Sequence, residues 1–278
     1  MDNKKILEIN NLEVIPNNNS SLKLVEDISL ELNKGKTTCI VGESGSGKSL
    51  TALSIMQLLP SQLSMSGKIF FEGINLLNLT KEEIRKKRGK DIAMIFQEPM
   101  TSLNPVLTIG YQIKEAIEVH QKLSNLKLNN RVKELLKIVG IPSWRIDSYP
   151  DELSGGQRQR VMIAMAISSS PKLLIADEPT TALDVTVQSQ ILKLLNNLKL
   201  KFQMTMLFIT HDFGVVEDIA DNVAVMYQGK IVEKGGVSEV LNKPKHPYTK
   251  ALLGCVPDVD GKKDLKPINY STLKRLMS

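Results

Sequence analysis

The 278-residue chain contains no apolar run of about 18 residues or more, the length a helix needs to cross a bilayer. Its longest oily segments, LLIAD (173–177) and MTMLFIT (204–210), are strand-sized. The N-terminus, MDNKKILEINNLEV, has no long apolar stretch after its lysines, which argues against a secretory signal. These absences lead us to expect a soluble protein that serves any membrane process from the surface. Cysteine is scarce: Cys39 and Cys255 stand far apart and lack metal-ligand spacing, as expected of reduced thiols in a cytosolic protein. No long internal repeat occurs. The formal net charge of +6 is a modest bias. It suits an anionic ligand or a membrane surface and does not identify nucleic acid as a partner.

What is present is an alternation of strand-length apolar runs with helical patterns. TTCIVG (37–42) reads as a buried strand, and IAMIFQ (92–97), KLLIAD (172–177) and TMLFIT (205–210) are continuous apolar runs, suited to strands covered on both faces. KSLTALSIMQLL (48–59) and VTVQSQILKLLNNLKLKF (185–202) carry helical spacing between them. This is the rhythm of an α/β fold with a parallel sheet. Earlier segments, LEINNLEV, LVEDISLEL and GKIFFEG, alternate as an antiparallel layer should. NVAVMYQ and KIVEKG read as a strand pair turning near Gln228–Gly229. Thr80 with Glu83 forms a capping box opening KEEIRKKR. Between Gln97 and Ser170 the pattern is mostly helical, with IGYQIKEAIEVH and NNRVKELLKIVG as candidates. The expected domains are residues 1–97 plus 171–235 as the sheet core, 98–170 as a helical insertion, and 236–278 as an extension whose basic end reads as a solvated tail.

Residues 42–49 read GESGSGKS, the pattern G-x-x-x-x-G-K-[ST], between an expected strand and an expected helix. Glycines let the backbone wrap phosphate oxygens with N–H groups inward, and the helix N-terminus adds positive potential at the same place. Gly42, Glu43, Ser44, Gly45, Ser46, Gly47, Lys48, Ser49 and the following Leu50 are therefore candidate ATP-binding residues. Lys48 would reach the β- and γ-phosphates, and the Ser49 hydroxyl would be a ligand of Mg²⁺. A Gly/Ser-rich turn matching by accident is the bland alternative, and the strand-before, helix-after context disfavours it. KLLIADE supplies a complementary acid pair. Asp177 would hold Mg²⁺ through water. Glu178, expected on the opposite side by strand alternation, would orient or deprotonate the attacking water.

LSGGQ at Leu153–Gln157, followed by RQRVMIAMAI, is a run that a generic phosphate-loop protein does not need. Ser154, Gly155, Gly156 and Gln157 ahead of a helix make a second anion-binding turn in one chain. This segment resembles the signature of the ABC ATPases, and the resemblance implies the reason for two such devices. In that family two nucleotide-binding domains dimerise head to tail, each ATP held between the phosphate loop of one and the LSGGQ of the other. Other landmarks fall in family order. Gln97 matches the Q-loop glutamine of the Mg²⁺ and water shell. TALD ends at Asp184, matching the D-loop, and His211 after TMLFIT matches the switch histidine at the γ-phosphate. His120 and His246 have no such context and read as surface or structural residues.

The likeness runs from about residue 6 to 256, and EPMTSLNP (98–105), SYPDELSGGQRQR (148–160), DVTVQSQIL (184–192) and HPYTKALL (246–253) resemble the oligopeptide, dipeptide and nickel importer ATPases. With Cys255 alone in the C-terminal region, the iron–sulfur cluster of some branch members is excluded within this chain. Where many relatives stack an aromatic on adenine, this chain has PNNNSSLKLV, leaving Leu22 or Leu24 for an apolar contact. The resemblance implies an ABC-type α/β nucleotide-binding domain that hydrolyses ATP to energise import of peptides or nickel. It would work at the cytoplasmic face of the cell membrane. Implied partners are two integral-membrane permease subunits, a second ABC ATPase chain (a heterodimer rather than a homodimer) and, indirectly, an extracytoplasmic solute-binding protein. A pore-free ABC protein is the alternative, disfavoured by the single ATPase domain; a phosphate-loop kinase is disfavoured by LSGGQ, TALD and His211.

Overall fold

The structure, a computed structural model, describes residues 4–97, 102–181 and 183–255. In chain order the strands are β1 (Lys5–Pro16), β2 (Val25–Asn33), β3 (Thr37–Val41), β4 (Leu63–Phe71), β5 (Ile74–Asn75), β6 (Ile92–Ile95), β7 (Leu173–Asp177), β8 (Thr205–Thr210), β9 (Asn222–Tyr227) and β10 (Lys230–Gly236). The helices are α1 (Lys48–Met56), α2 (Lys81–Lys87), α3 (Ile109–Glu118), α4 (Asn125–Ile138), α5 (Gly155–Ala166), α6 (Val185–Phe202), α7 (Phe213–Ile219), α8 (Val237–Asn242) and α9 (Pro247–Gly254). Part of EPMTSLNP, the alanine of TALD and the basic tail from residue 256 onward lie outside the described residues. The chain forms two compact units, Met1–Leu77 with Phe208–Ser278, and Asn78–Leu207.

The first unit holds the antiparallel layer in the order β2-β1-β4-β5. Alternation along β1 buries Leu7 and Ile9, shifts by one residue at a bulge where Asn11 turns to φ 50°, and resumes to bury Leu12 and Val14, whose apolar surface drives the layer onto its core. Here also lie β10-β9-β3, with β9 parallel to β3 and antiparallel to β10. Every residue of β3 is buried, the polar Thr37 and Thr38 included. Helix α1 stops at Met56, three residues before the expected end, because Gln57 turns left-handed at φ 50° and Pro60 follows.

The second unit holds the parallel pair β6 and β7, paired from Ile92↔Leu173 to Ile95↔Ala176 and buried throughout. The chain passes between the units within β8. Helix α2 opens with the expected capping box, Thr80 with Glu83. Helix α3 buries Ile109, Ile113 and Ile117, one face at four-residue spacing. Helix α4 starts four residues earlier than its periodicity suggests, behind Ser124, and buries Leu128, Val132, Leu135 and Leu136. Helix α5 packs with α3 and α4, so the helical stretch has a core of its own. The α/β class and the added antiparallel layer expected from the sequence are both present.

Candidate functional site

In the first unit, β3 delivers the chain into a loop, Gly42–Gly47, that opens directly into α1. The loop must pass very close to β9. A Cβ on Gly42 would lie 2.1 Å from the Met226 carbonyl oxygen. One on Gly47, at φ 102°, would lie 2.7 Å from Met226 Cε and 2.9 Å from the Leu24 carbonyl oxygen. Only glycine fits both places without moving backbone. The Gly229 N–H donates to the Ser46 carbonyl at 3.0 Å and fixes the rear of the loop. Gly47 caps α1 without any side-chain bond, and the positive end of the helix lies at the loop, where it favours an anion.

Lys48 is 4% exposed, and its Nζ donates to the Gly42 and Glu43 carbonyls at 2.8 Å each. The loop therefore stores its own ammonium group on its own backbone. The Ser46 hydroxyl is buried without a hydrogen-bond partner among the described residues. A phosphate oxygen would satisfy it, together with the N-terminal amides of α1. His211 lies in the same unit, exposed, directly after β8. Its neighbour Asp212 starts α7, accepting from the Gly214 N–H at 2.8 Å.

In the second unit, Asp177 ends β7 and is 4% exposed. Glu178 is 8% exposed, and its Oε2 accepts hydrogen bonds from Gln97 Nε2 at 3.1 Å and Thr181 Oγ1 at 2.9 Å. The structure thus brings Gln97 and Glu178 together. The alternation argument for Glu178 needs correction. The strand stops at Asp177, and Glu178 sits at φ 46°, in the left-handed region that a glutamate seldom adopts. A break in the backbone, rather than pleat alternation, directs its carboxylate. Such strain persists where surrounding bonds hold it, and it gathers at functional positions. Thr181 opens the TALD run, but its bond to Glu178 has no local signal beyond a hydroxyl three residues after the acid.

The LSGGQ turn opens α5. Ser154 Oγ accepts from the Gln157 N–H at 3.3 Å, and Gln157 Oε1 accepts from the Ser154 N–H at 3.1 Å, a reciprocal capping box. Gly156 faces α6, where a Cβ would come within 2.6 Å of Val187 Cγ1. Asp184 caps α6, its Oδ1 accepting from the Val187 N–H at 2.9 Å. The D-loop and signature segments are thus neighbours within this unit.

The strand–loop–helix around a buried lysine defines a phosphate-loop nucleotide-binding protein of the α/β class. Residues 25–181 match the family described as ABC transporter, and residues 232–276 match the oligopeptide/dipeptide transporter C-terminal region. The chain belongs to the ABC transporter family, in its oligopeptide/dipeptide branch, as an ATP-hydrolysing subunit.

Two relatives come from Bacillus subtilis (strain 168). The oligopeptide transport ATP-binding protein OppD is 48% identical over 271 residues, covering 95% of this chain and 76% of that protein. The dipeptide transport ATP-binding protein DppD is 48% identical over 262 residues, covering 92% and 78%. Among solved structures, the ATP-binding cassette MJ0796, in a dimeric post-hydrolysis state bound to ADP and Pi, matches with a TM-score of 0.73 at 26% identity. That match covers 83% of this chain and 98% of that one. CbiO1 from Clostridium perfringens, part of the transporter complex cbiONQ, matches at 0.74 with 30% identity, covering 86% and 91%.

Proposed function

We propose that this chain drives import of peptides by binding and hydrolysing ATP at the cytoplasmic face of the cell membrane, as the motor for a pore made by two integral-membrane permease subunits. The peptide cargo is supported by the names of OppD and DppD and by the oligopeptide/dipeptide match at residues 232–276. No helix among the described residues is long and apolar enough to cross a membrane, which leaves the pore to other chains. An extracytoplasmic binding protein delivers the solute, so this chain need not touch the cargo.

The observation that carries the reading is the contrast between a buried lysine on an uncapped helix start and an LSGGQ turn closed on its own side chains. Lys48, Ser49, the Ser46 hydroxyl and the amides of Gly45, Gly47 and Leu50 bind the triphosphate, Lys48 leaving the loop carbonyls for phosphate oxygens. Glu178 orients the attacking water, steadied by Gln97 and Thr181. His211 contacts the γ-phosphate. Ser154, Gly155, Gly156 and Gln157 complete the ATP site of a second ATPase chain, with Asp184 at the shared interface. Positioning and charge stabilisation carry most of such catalysis.

Ser49, Asp177 and Gln97 offer hard oxygen donors that suit Mg²⁺. No cluster of three or more His, Cys, Asp or Glu suited to a metal occurs among the described residues, so the metal is best brought in by the nucleotide's own phosphates. When bound, Mg²⁺ neutralises developing phosphate charge.

The dimeric state of MJ0796 supports pairing, and a related ATPase chain is the favoured partner. Residues 98–170 act as a helical subdomain on a core formed by 1–97 and 171–235, followed by an extension over 236–278. Val106, Tyr111, Trp144 and Tyr149 of the helical part are exposed, and we assign them to contact with a cytoplasmic helix of the permease. The test is Glu178→Gln in the assembled transporter. It will retain ATP binding while turnover and peptide uptake fall about a hundredfold or more. Near-normal hydrolysis would remove Glu178 from this role.

A further inference from the structure

Tyr248, from the HPYT segment, heads the largest side chains that are completely buried among the described residues, and it lies behind the phosphate loop. Its ring packs on Tyr227 of β9, with centroids 4.1 Å apart and planes at 35°. Its hydroxyl oxygen accepts a long hydrogen bond, 3.4 Å, from the Glu43 N–H. That N–H belongs to the same peptide unit as the Gly42 carbonyl, on which Lys48 Nζ rests at 2.8 Å. A peptide unit is rigid and planar, so holding its N–H end also aims its carbonyl end. Gly42 has no room to retreat, because the Met226 carbonyl blocks it.

The placement of Tyr248 is itself built. The Glu233 carboxylate on β10 accepts from the Lys245 N–H at 2.7 Å and the His246 N–H at 3.0 Å. His246 Nδ1 then accepts from the Tyr248 N–H at 3.2 Å, capping α9. A line of bonds therefore runs from Glu233 through His246 and Tyr248 to the Gly42–Glu43 peptide and Lys48. A ring needed only to fill the core would require no hydroxyl in contact with the loop.

We infer that Tyr248 is a positioning residue for ATP binding: its hydroxyl fixes the Gly42–Glu43 peptide and so holds the Lys48 ammonium where it transfers to the nucleotide's phosphates. This rests on the reading of Lys48 as a phosphate ligand.

The experiment is a double-mutant cycle on the full chain, with Mg-ATP affinity and melting temperature measured together. Tyr248→Phe keeps the ring and loses the acceptor. It will weaken Mg-ATP binding about threefold to tenfold at an unchanged melting temperature. On a Lys48→Ala background the same change will cost less than about twofold, since the group it acts through is gone. Tyr227→Phe, which keeps the stacked ring, will leave affinity unchanged. The inference is overturned if Tyr248→Phe binds ATP like the parent, if its loss is undiminished beside Lys48→Ala, or if Tyr227→Phe loses as much. Normal ATP affinity in Lys48→Ala alone would instead overturn the lysine reading, and this inference with it.

Discussion

The phosphate loop and the LSGGQ turn are both glycine-rich segments that open a helix, yet the fold treats them oppositely. The phosphate loop is wedged against β9, carries a buried lysine, and leaves α1 uncapped by any side chain. The LSGGQ turn is exposed at Ser154, and Ser154 and Gln157 satisfy each other's backbone groups. A loop that stores a cation at the start of a helix is ready for a phosphate before one arrives. A turn that has capped itself is stable alone and must exchange its internal bonds for those of a ligand. The difference supports the proposal that the chain binds its own nucleotide with the first device and offers the second to a nucleotide presented by another chain.

The comparison breaks most plainly under paired substitutions. Lys48→Ala removes the proposed charge-assisted contact to phosphate and will weaken ATP binding by the isolated chain about a hundredfold, read by calorimetry. Gly156→Val crowds Val187 and the LSGGQ turn. It will leave ATP affinity of the isolated chain within about twofold while abolishing turnover in the assembled transporter. Equal losses of affinity in both would show that the two turns serve one nucleotide.

A smaller effect sharpens the account of the first unit. Burial holds the His246 imidazole below its ordinary value, against the opposing pull of the Glu233 carboxylate. The fold therefore favours neutral His246, whose Nδ1 caps α9 as an acceptor. Its contribution is complete above the unfolded value and is lost as pH falls below about 6.5. Burial, then the Lys90 charge, lowers His120 in the same sense. The melting temperature will drop by a degree or two between about pH 7.5 and pH 5.5. His246→Asn, which can still cap, will flatten part of that fall. A slope unchanged in this variant would remove His246 from the cap.

The strands β6, β7 and β8 were legible because burial on both faces leaves a largely apolar run. The phosphate loop was legible because its spacing is local and its glycines answer to one geometry. Glu178 was misjudged in conformation, since alternation holds only while a strand continues and β7 ends one residue earlier. The self-capping of Ser154 by Gln157 was also written in the sequence, serine with glutamine three residues on, but the anion-binding reading of the same residues hid it. The contact of Tyr248 with Glu43 joins residues 205 apart, and no local pattern encodes a partner at that distance. HPYT was visible as a motif; its place against the loop was not.

The most direct measurement follows amide exchange at Ser44–Ser49 and at Ser154–Gln157 in the Glu178→Gln chain with saturating Mg-ATP, at rising protein concentration and with the partner ATPase added. The account predicts that the phosphate-loop amides are protected at every dilution, while Gly155 and Gly156 of LSGGQ gain protection only as chains associate. Full protection of both segments in dilute, monomeric protein would contradict it.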